Sequence, residues 1–197
     1  MKTCEYAGAP FTEPRSHPWT DAAGSADFQY YDLTRTPALI RSKLEDFTPW
    51  ARYAAVESFY ALLERLNHRA SLLESNDCAF TGPHASDADT SEHSLECSGR
   101  VMLLFRALAS NTAAGVEALS HELHVELGEL DPDFRAGVIG TTLVPARYLA
   151  LAAGAQLGSQ LMISFWAWGD SEADTMLNLG RLLKNLSQAL RRVCARG

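Results

Sequence analysis

At 197 residues, 47% of them hydrophobic, the chain is long enough to bury one sizeable core and needs no more than one domain. Its 17 basic and 24 acidic side chains leave a net charge of -7, which disfavours general attraction to nucleic acid or anionic lipid. Cys4, Cys78, Cys97 and Cys194 follow no framework spacing, and the opening MKTCEYAGAPF lacks the apolar run of a secretory leader, so reduced thiols in the cytoplasm are expected.

Residues 1–35 place Pro10, Pro14 and Pro18 among Gly, Ser, Thr and acidic residues, with aromatics at Trp19, Phe28, Tyr30 and Tyr31. This reads as an irregular N-terminal extension to a single domain over 36–197. Apolar residues then recur at Leu39, Ile40, Leu44 and Phe47, and again at Val56, Phe59, Leu63, Leu66, Ala70 and Leu73. The spacing of three and four predicts two amphipathic helices, with Thr48 capping the second and Pro49 in its first turn. The stretch 75–93 carries Asp77, Asp87, Asp89 and Glu92 with Gly82-Pro83, and reads as an exposed acidic loop.

Ser94 is placed to cap a helix whose apolar face is Cys97, Val101, Leu104, Phe105 and Leu108. Thr112 caps another, with Val116, Leu119, Leu123 and Leu127 aligned before Gly128. In 131–144, Gly137, Gly140, Thr141 and Thr142 weaken a helix, so a loop with a short helical piece is expected.

Residues 145–168 decide the fold class. As strands, 161–168 would be apolar on both faces and would need cover on each side. As a helix, Tyr148, Leu151, Ala155, Met162 and Phe165 form one stripe and Gln156, Gln160 and Ser164 another, which accounts for more positions. Polar interruptions at Arg147, Gln156, Ser159 and Gln160 argue against a membrane span. Ser171 with Asp174 resembles a capping box, and Met176, Leu179, Leu183, Leu186, Leu190 and Val193 repeat along a last long helix. The expected class is all-α; the alternative is α+β with a short sheet at 136–168.

Several of these residues, in order, resemble a globin: Thr36, Pro37, Ile40, Ser42, Leu44, Phe47, Pro49, Phe59, Tyr60, Leu63, Leu72 and Leu73 at the start, FRALASN at 105–111, and the Pro145-x-x-Tyr148-Leu149 opening of a penultimate helix. The resemblance implies a globin-like helical fold binding haem b and a diatomic gas such as oxygen or nitric oxide. It implies His124, in preference to His121, as iron ligand, and Tyr60 as a distal hydrogen-bond donor. Cys97 or Ser98 would lie near the distal polar position, Val101 or Met102 would cap the pocket, and Leu73 stands where globins place a Phe. His124 lies well upstream of the position a globin ligand takes before Pro145, which also leaves open a globin fold without cofactor.

The competing expectation is a cofactor-free helical interaction module, of immunity or regulatory type, holding a protein partner with its acidic loop and helix faces. A homodimer is also open. Trp166 and Trp168 in FWAWGD serve either as partner anchors or as a corner closed against the core. The C-terminal cations Arg181, Lys184, Arg191, Arg192 and Arg196 read as a solvated face suited to the negative end of a helix dipole. Cys78, His84, His93 and Cys97 match no compact zinc spacing, and no nucleophile elbow or phosphate loop appears, so enzymatic chemistry is not expected.

Overall fold

The computed structural model describes residues 1–5, 14–18, 32–43, 45–87 and 91–196. In the centre of the chain, Cys97, Val101 and Leu103 pack to one side while Met102 and Leu104 pack to the other. That two-residue alternation is a strand's, and it overturns the helix expected to follow Ser94.

The described elements are β1 (Lys2–Glu5), β2 (Arg15–His17), α1 (Leu39–Lys43), α2 (Ala54–Leu66), β3 (Leu73–Ala85), β4 (Leu95–Phe105), α3 (Ala113–Glu129), β5 (Gly137–Tyr148), β6 (Gln156–Gly169) and α4 (Glu172–Cys194). Two short 3-10 turns, Glu45–Trp50 and Leu108–Ser110, lie between them. The strands form one mixed sheet in the order β1-β5-β6-β4-β3, with β2 also pairing with β5. β1 runs parallel to the start of β5 (Lys2 opposite Val138) and β2 to its end (His17 opposite Tyr148), while β5-β6, β6-β4 and β4-β3 are antiparallel.

The fold is therefore α+β, and the expected all-α, globin-like architecture is corrected. Residues 145–168, read as one helix, are the end of β5, a turn and β6; the acidic loop at 75–93 is largely β3; and two pieces of the N-terminal extension, β1 and β2, are sheet strands. Thr48 and Pro49 lie in a 3-10 turn, and α2 starts later without a side-chain cap. The α+β alternative confined the sheet to 136–168, whereas strands run from Lys2 to Gly169.

The helices α2, α3 and α4 cover one face of this sheet and make the main core with Val101, Leu103, Ile139, Ile163 and Phe165. An aromatic chain ties the layers: Phe47 stacks on Phe59 (4.7 Å) and on Phe80 (4.9 Å), and Phe59 meets Phe165 of β6 at 5.8 Å. Gly99 is needed beneath it, because a Cβ there would lie 2.4 Å from the Phe165 ring. On α4 every residue of the expected stripe, from Met176 to Val193, is buried. Thr112 Oγ1 accepts from the Gly115 N–H (3.1 Å) and Ser171 Oγ from the Asp174 N–H (3.2 Å), so both expected caps are made.

The edge strand β3 is irregular between Ser75 and Asp77 and between Thr81 and His84, a device that blunts edge-to-edge pairing. At the β5–β6 turn, Gly154 takes a φ of 90° and Leu149 and Leu157 are 45% and 72% exposed. Among the described residues, no helix is long and apolar enough to cross a membrane.

Candidate functional site

The residues expected to hold haem are placed on different elements: Tyr60 on α2, Leu73 on β3, Cys97, Val101 and Met102 on β4, and His124 on α3. On α3, His124 Nε2 lies 2.9 Å from Thr141 Oγ1 of β5, which is itself 2.9 Å from Ser120 Oγ. Burial lowers the His124 pKa and favours the neutral ring, whose tautomer sets whether Nε2 accepts from or donates to the Thr141 hydroxyl. Tyr60, on α2, leans on Phe47 (5.8 Å) beneath the Arg41 guanidinium (5.5 Å), and burial raises its phenol pKa. Leu73 opens β3 as a buried core residue.

On β4, Cys97 and Val101 face the helices whereas Met102 faces away from them. Burial pushes the Cys97 thiol up to about 12, which makes it an inert core group. The globin-like, haem-binding picture is corrected with the fold, since its pocket was to lie between helices where a sheet now runs. Among the described residues, no group of three or more His, Cys, Asp or Glu is placed to hold a metal ion. His84 and His93 instead pair with Glu96 and Asp170, each at 3.3 Å.

Two other places concentrate chemistry. The first is a groove of about 570 Å³ between α2 and α4, with Ala61 and Leu183 among its apolar lining and Arg65, Lys184, Arg191 and Arg192 around it. Arg65 Nη1 donates to Ser187 Oγ (2.6 Å) and more distantly to the Ser187 carbonyl (3.3 Å). Partial burial, and secondarily the nearby Arg191 charge, lower the Arg65 pKa. Arg192 is answered by Glu126 (3.0 Å) and Glu129 (3.8 Å). Among the described residues, Arg65, Lys184 and Arg191 face no carboxylate at ion-pair distance.

The sequence pointed to part of this cluster but to the bland reading of it. Arg181 and Arg196 are instead paired with Asp131 and Glu126, the latter fully buried. Arg65 joins Lys184 and Arg191 only because α2 packs against α4, a pairing of elements far apart in sequence that periodicity does not reveal.

The second place is the sheet face that carries no helix. Its apolar floor is Met102, Val144 and Met162. Around that floor stand Asn76 and Asp77 of β3, Arg100 of β4, Thr142 of β5 and Gln160 of β6. Although β2 is hydrogen-bonded to β5, its side chains reach β3 on the far side of the sheet: Arg15 pairs with Asp77 and touches Met102 Sδ (3.7 Å), and His17 Nε2 sits 2.9 Å from Glu74 Oε1. The sheet must curl for such contacts to form, so β2 straps a concave face.

Beneath this strap, Asn76 Nδ2 donates to Gln160 Oε1 at 3.1 Å. Among the described residues, the buried atoms Asn76 Oδ1, Arg100 Nε, Thr142 Oγ1, Gln160 Nε2 and His17 Nδ1 have no hydrogen-bond partner. Each buried polar atom left unanswered costs roughly 1–3 kcal/mol, so the strap satisfies this face incompletely. Sequence reasoning missed the cluster because its members come from five strands, none of which the leading all-α reading makes a strand. Trp168, on the same face, donates from Nε1 to Glu96 Oε2 at 3.2 Å. No family's sequence pattern matches the chain, and no curated protein or solved structure is similar to it.

Proposed function

We propose that the protein is a cofactor-free interaction module that holds an acidic segment of a partner protein in the α2–α4 groove. The observation that carries this reading is the grouping of Arg65, Lys184 and Arg191 around one groove, without carboxylate partners among the described residues, on a chain of net charge -7. Local charge opposite to that of the whole molecule steers and orients a complementary segment. Exposed ion pairs contribute only about 0.2–1 kcal/mol each, so a specific complex also requires apolar contact, for which Ala61 is the exposed apolar residue of the groove. The occupant is therefore amphipathic, with carboxylates along one side. The role is regulation or neutralisation by binding, and gas binding on haem is not carried forward, because the globin fold that implied it is absent.

The test is a titration of the isotopically labelled protein with a synthetic Glu/Leu amphipathic helix, followed by NMR. Shifts should gather on Ala61, Ser187 and Gln188, weaken with salt, and require at least ten-fold more peptide in the Lys184→Glu/Arg191→Glu variant. Equal binding by that variant, or preferential binding of duplex DNA or anionic vesicles at the same residues, would sink the reading.

A further inference from the structure

The strapped face carries a separate inference. We propose that β2 is a replaceable occupant of a strand-accepting site, and that a partner segment with the pattern cation-x-cation takes its place beside β5. The site is built for a strand: Ser16 lies opposite Arg147 in parallel register, and the Leu149 N–H donates to the His17 carbonyl at 3.0 Å. It is also built for side chains two residues apart that answer carboxylates, a guanidinium and an imidazole in the present occupant. Arg15 and His17 project to the same side and meet the Asp77 and Glu74 carboxylates, whose side chains are 10% and 14% exposed.

The present occupant fits imperfectly. Among the described residues, Gln160 Nε2 and Thr142 Oγ1, on side chains fully or almost fully buried, have no hydrogen-bond partner, and neither does His17 Nδ1. The strap itself is only three residues long and is flanked by Pro14 and Pro18, which have no N–H to extend the ladder. A longer incoming strand supplies more main-chain bonds and side chains to answer these groups, which is recognition by strand addition. The carboxylates select cations, so an acidic segment, the occupant argued for the α2–α4 groove, is repelled here.

Hydrogen exchange on the unaltered chain tests displacement directly. The Leu149 amide should exchange at least ten-fold faster than the amides between Leu161 and Phe165 of β6, through an opening that leaves the sheet intact. Exchange of Leu149 only with those core amides would overturn the proposal. Binding is tested with the acetylated, amidated peptide TEPRSHPW, identical to residues 12–19, added to the Arg15→Ala/His17→Ala variant. Saturable shifts at Glu74, Asp77 and Arg147 are expected. They should vanish when Glu74→Gln/Asp77→Asn is added, or when the peptide carries Glu in place of Arg and His, and should persist in Lys184→Glu/Arg191→Glu.

No binding, or binding indifferent to the carboxylates, overturns the assignment, as does concentration-dependent dimerisation of the unaltered chain by strap exchange. Should the alanine variant not fold, the exchange measurement on the unaltered chain decides alone.

Discussion

Thr141 and Thr142 are neighbours on β5, both buried, and their hydroxyls meet opposite fates. Thr141 faces the helices and joins Ser120 and His124 in a closed hydrogen-bond chain. Thr142 faces the opposite side of the sheet, with Met162, and its hydroxyl has no hydrogen-bond partner among the described residues. The contrast extends across the sheet: the helix-covered face is sealed by apolar packing and satisfied polar links, whereas the strapped face is sealed by ion pairs over an incompletely answered polar rim. One face is closed for stability; the other is closed provisionally.

Substitutions on the two faces sharpen that contrast. The largest effect should come from Phe165→Ala, which removes the ring between Gly99 and Phe59 and should cost about 3–5 kcal/mol in urea unfolding. Thr141→Val should cost roughly 1–2 kcal/mol, because it strands Ser120 and His124. Thr142→Val should act in the opposite direction, raising stability by up to about 1 kcal/mol as an unpartnered hydroxyl becomes a methyl. Equal destabilisation by the two valines would break the comparison.

The smallest effect is a pH slope. Burial depresses the His124 pKa in the folded state, so the unfolded chain takes up the proton first as pH falls. The His124 contribution is therefore complete above the ordinary imidazole value of about 6.5 and is lost progressively as pH drops below it toward the lowered folded value. Thermal unfolding of His124→Gln between pH 7.5 and 5.5 should show a shallower acid dependence than the unaltered chain.

The elements legible in the sequence were those with one wet side. α3 and α4 each bury a single stripe, begin at a Thr or Ser whose side chain caps the first turn, and border strands rather than one another's continuation. Central strands lack such a signal. β4 and β6 are buried on both faces around Val101–Leu104 and Leu161–Phe165, so their apolar runs fit either period. The stripe that joined Met162 with Phe165 failed for a plain reason: the two side chains point to opposite faces of β6. β3 was read as loop because its outward residues, Glu74, Asn76 and Asp77, are polar in support of the strap, and because Gly82-Pro83 breaks the run where Trp50 lies against Gly82.

For the candidate sites, Lys184 and Arg191 were visible on one helix, whereas Arg65 and the rim of the strapped face depend on long-range neighbours. The globin resemblance implies His124 as an iron ligand, whereas in the structure its Nε2 lies at hydrogen-bond distance from the Thr141 hydroxyl of β5.

The hairpin made by β5 and β6 has a consequence for how the protein must be made. From Leu149 to Gly169 no residue carries an ionisable acid or base, and Leu149 and Leu157 stay in water even after folding. Such a segment, rich in aromatic and aliphatic strand formers and with no charged gatekeeper, is the part of the chain most prone to aggregate while it awaits its partner. β4 precedes it during translation, so a ready edge on which β6 can dock is the nascent protein's main safeguard against insolubility.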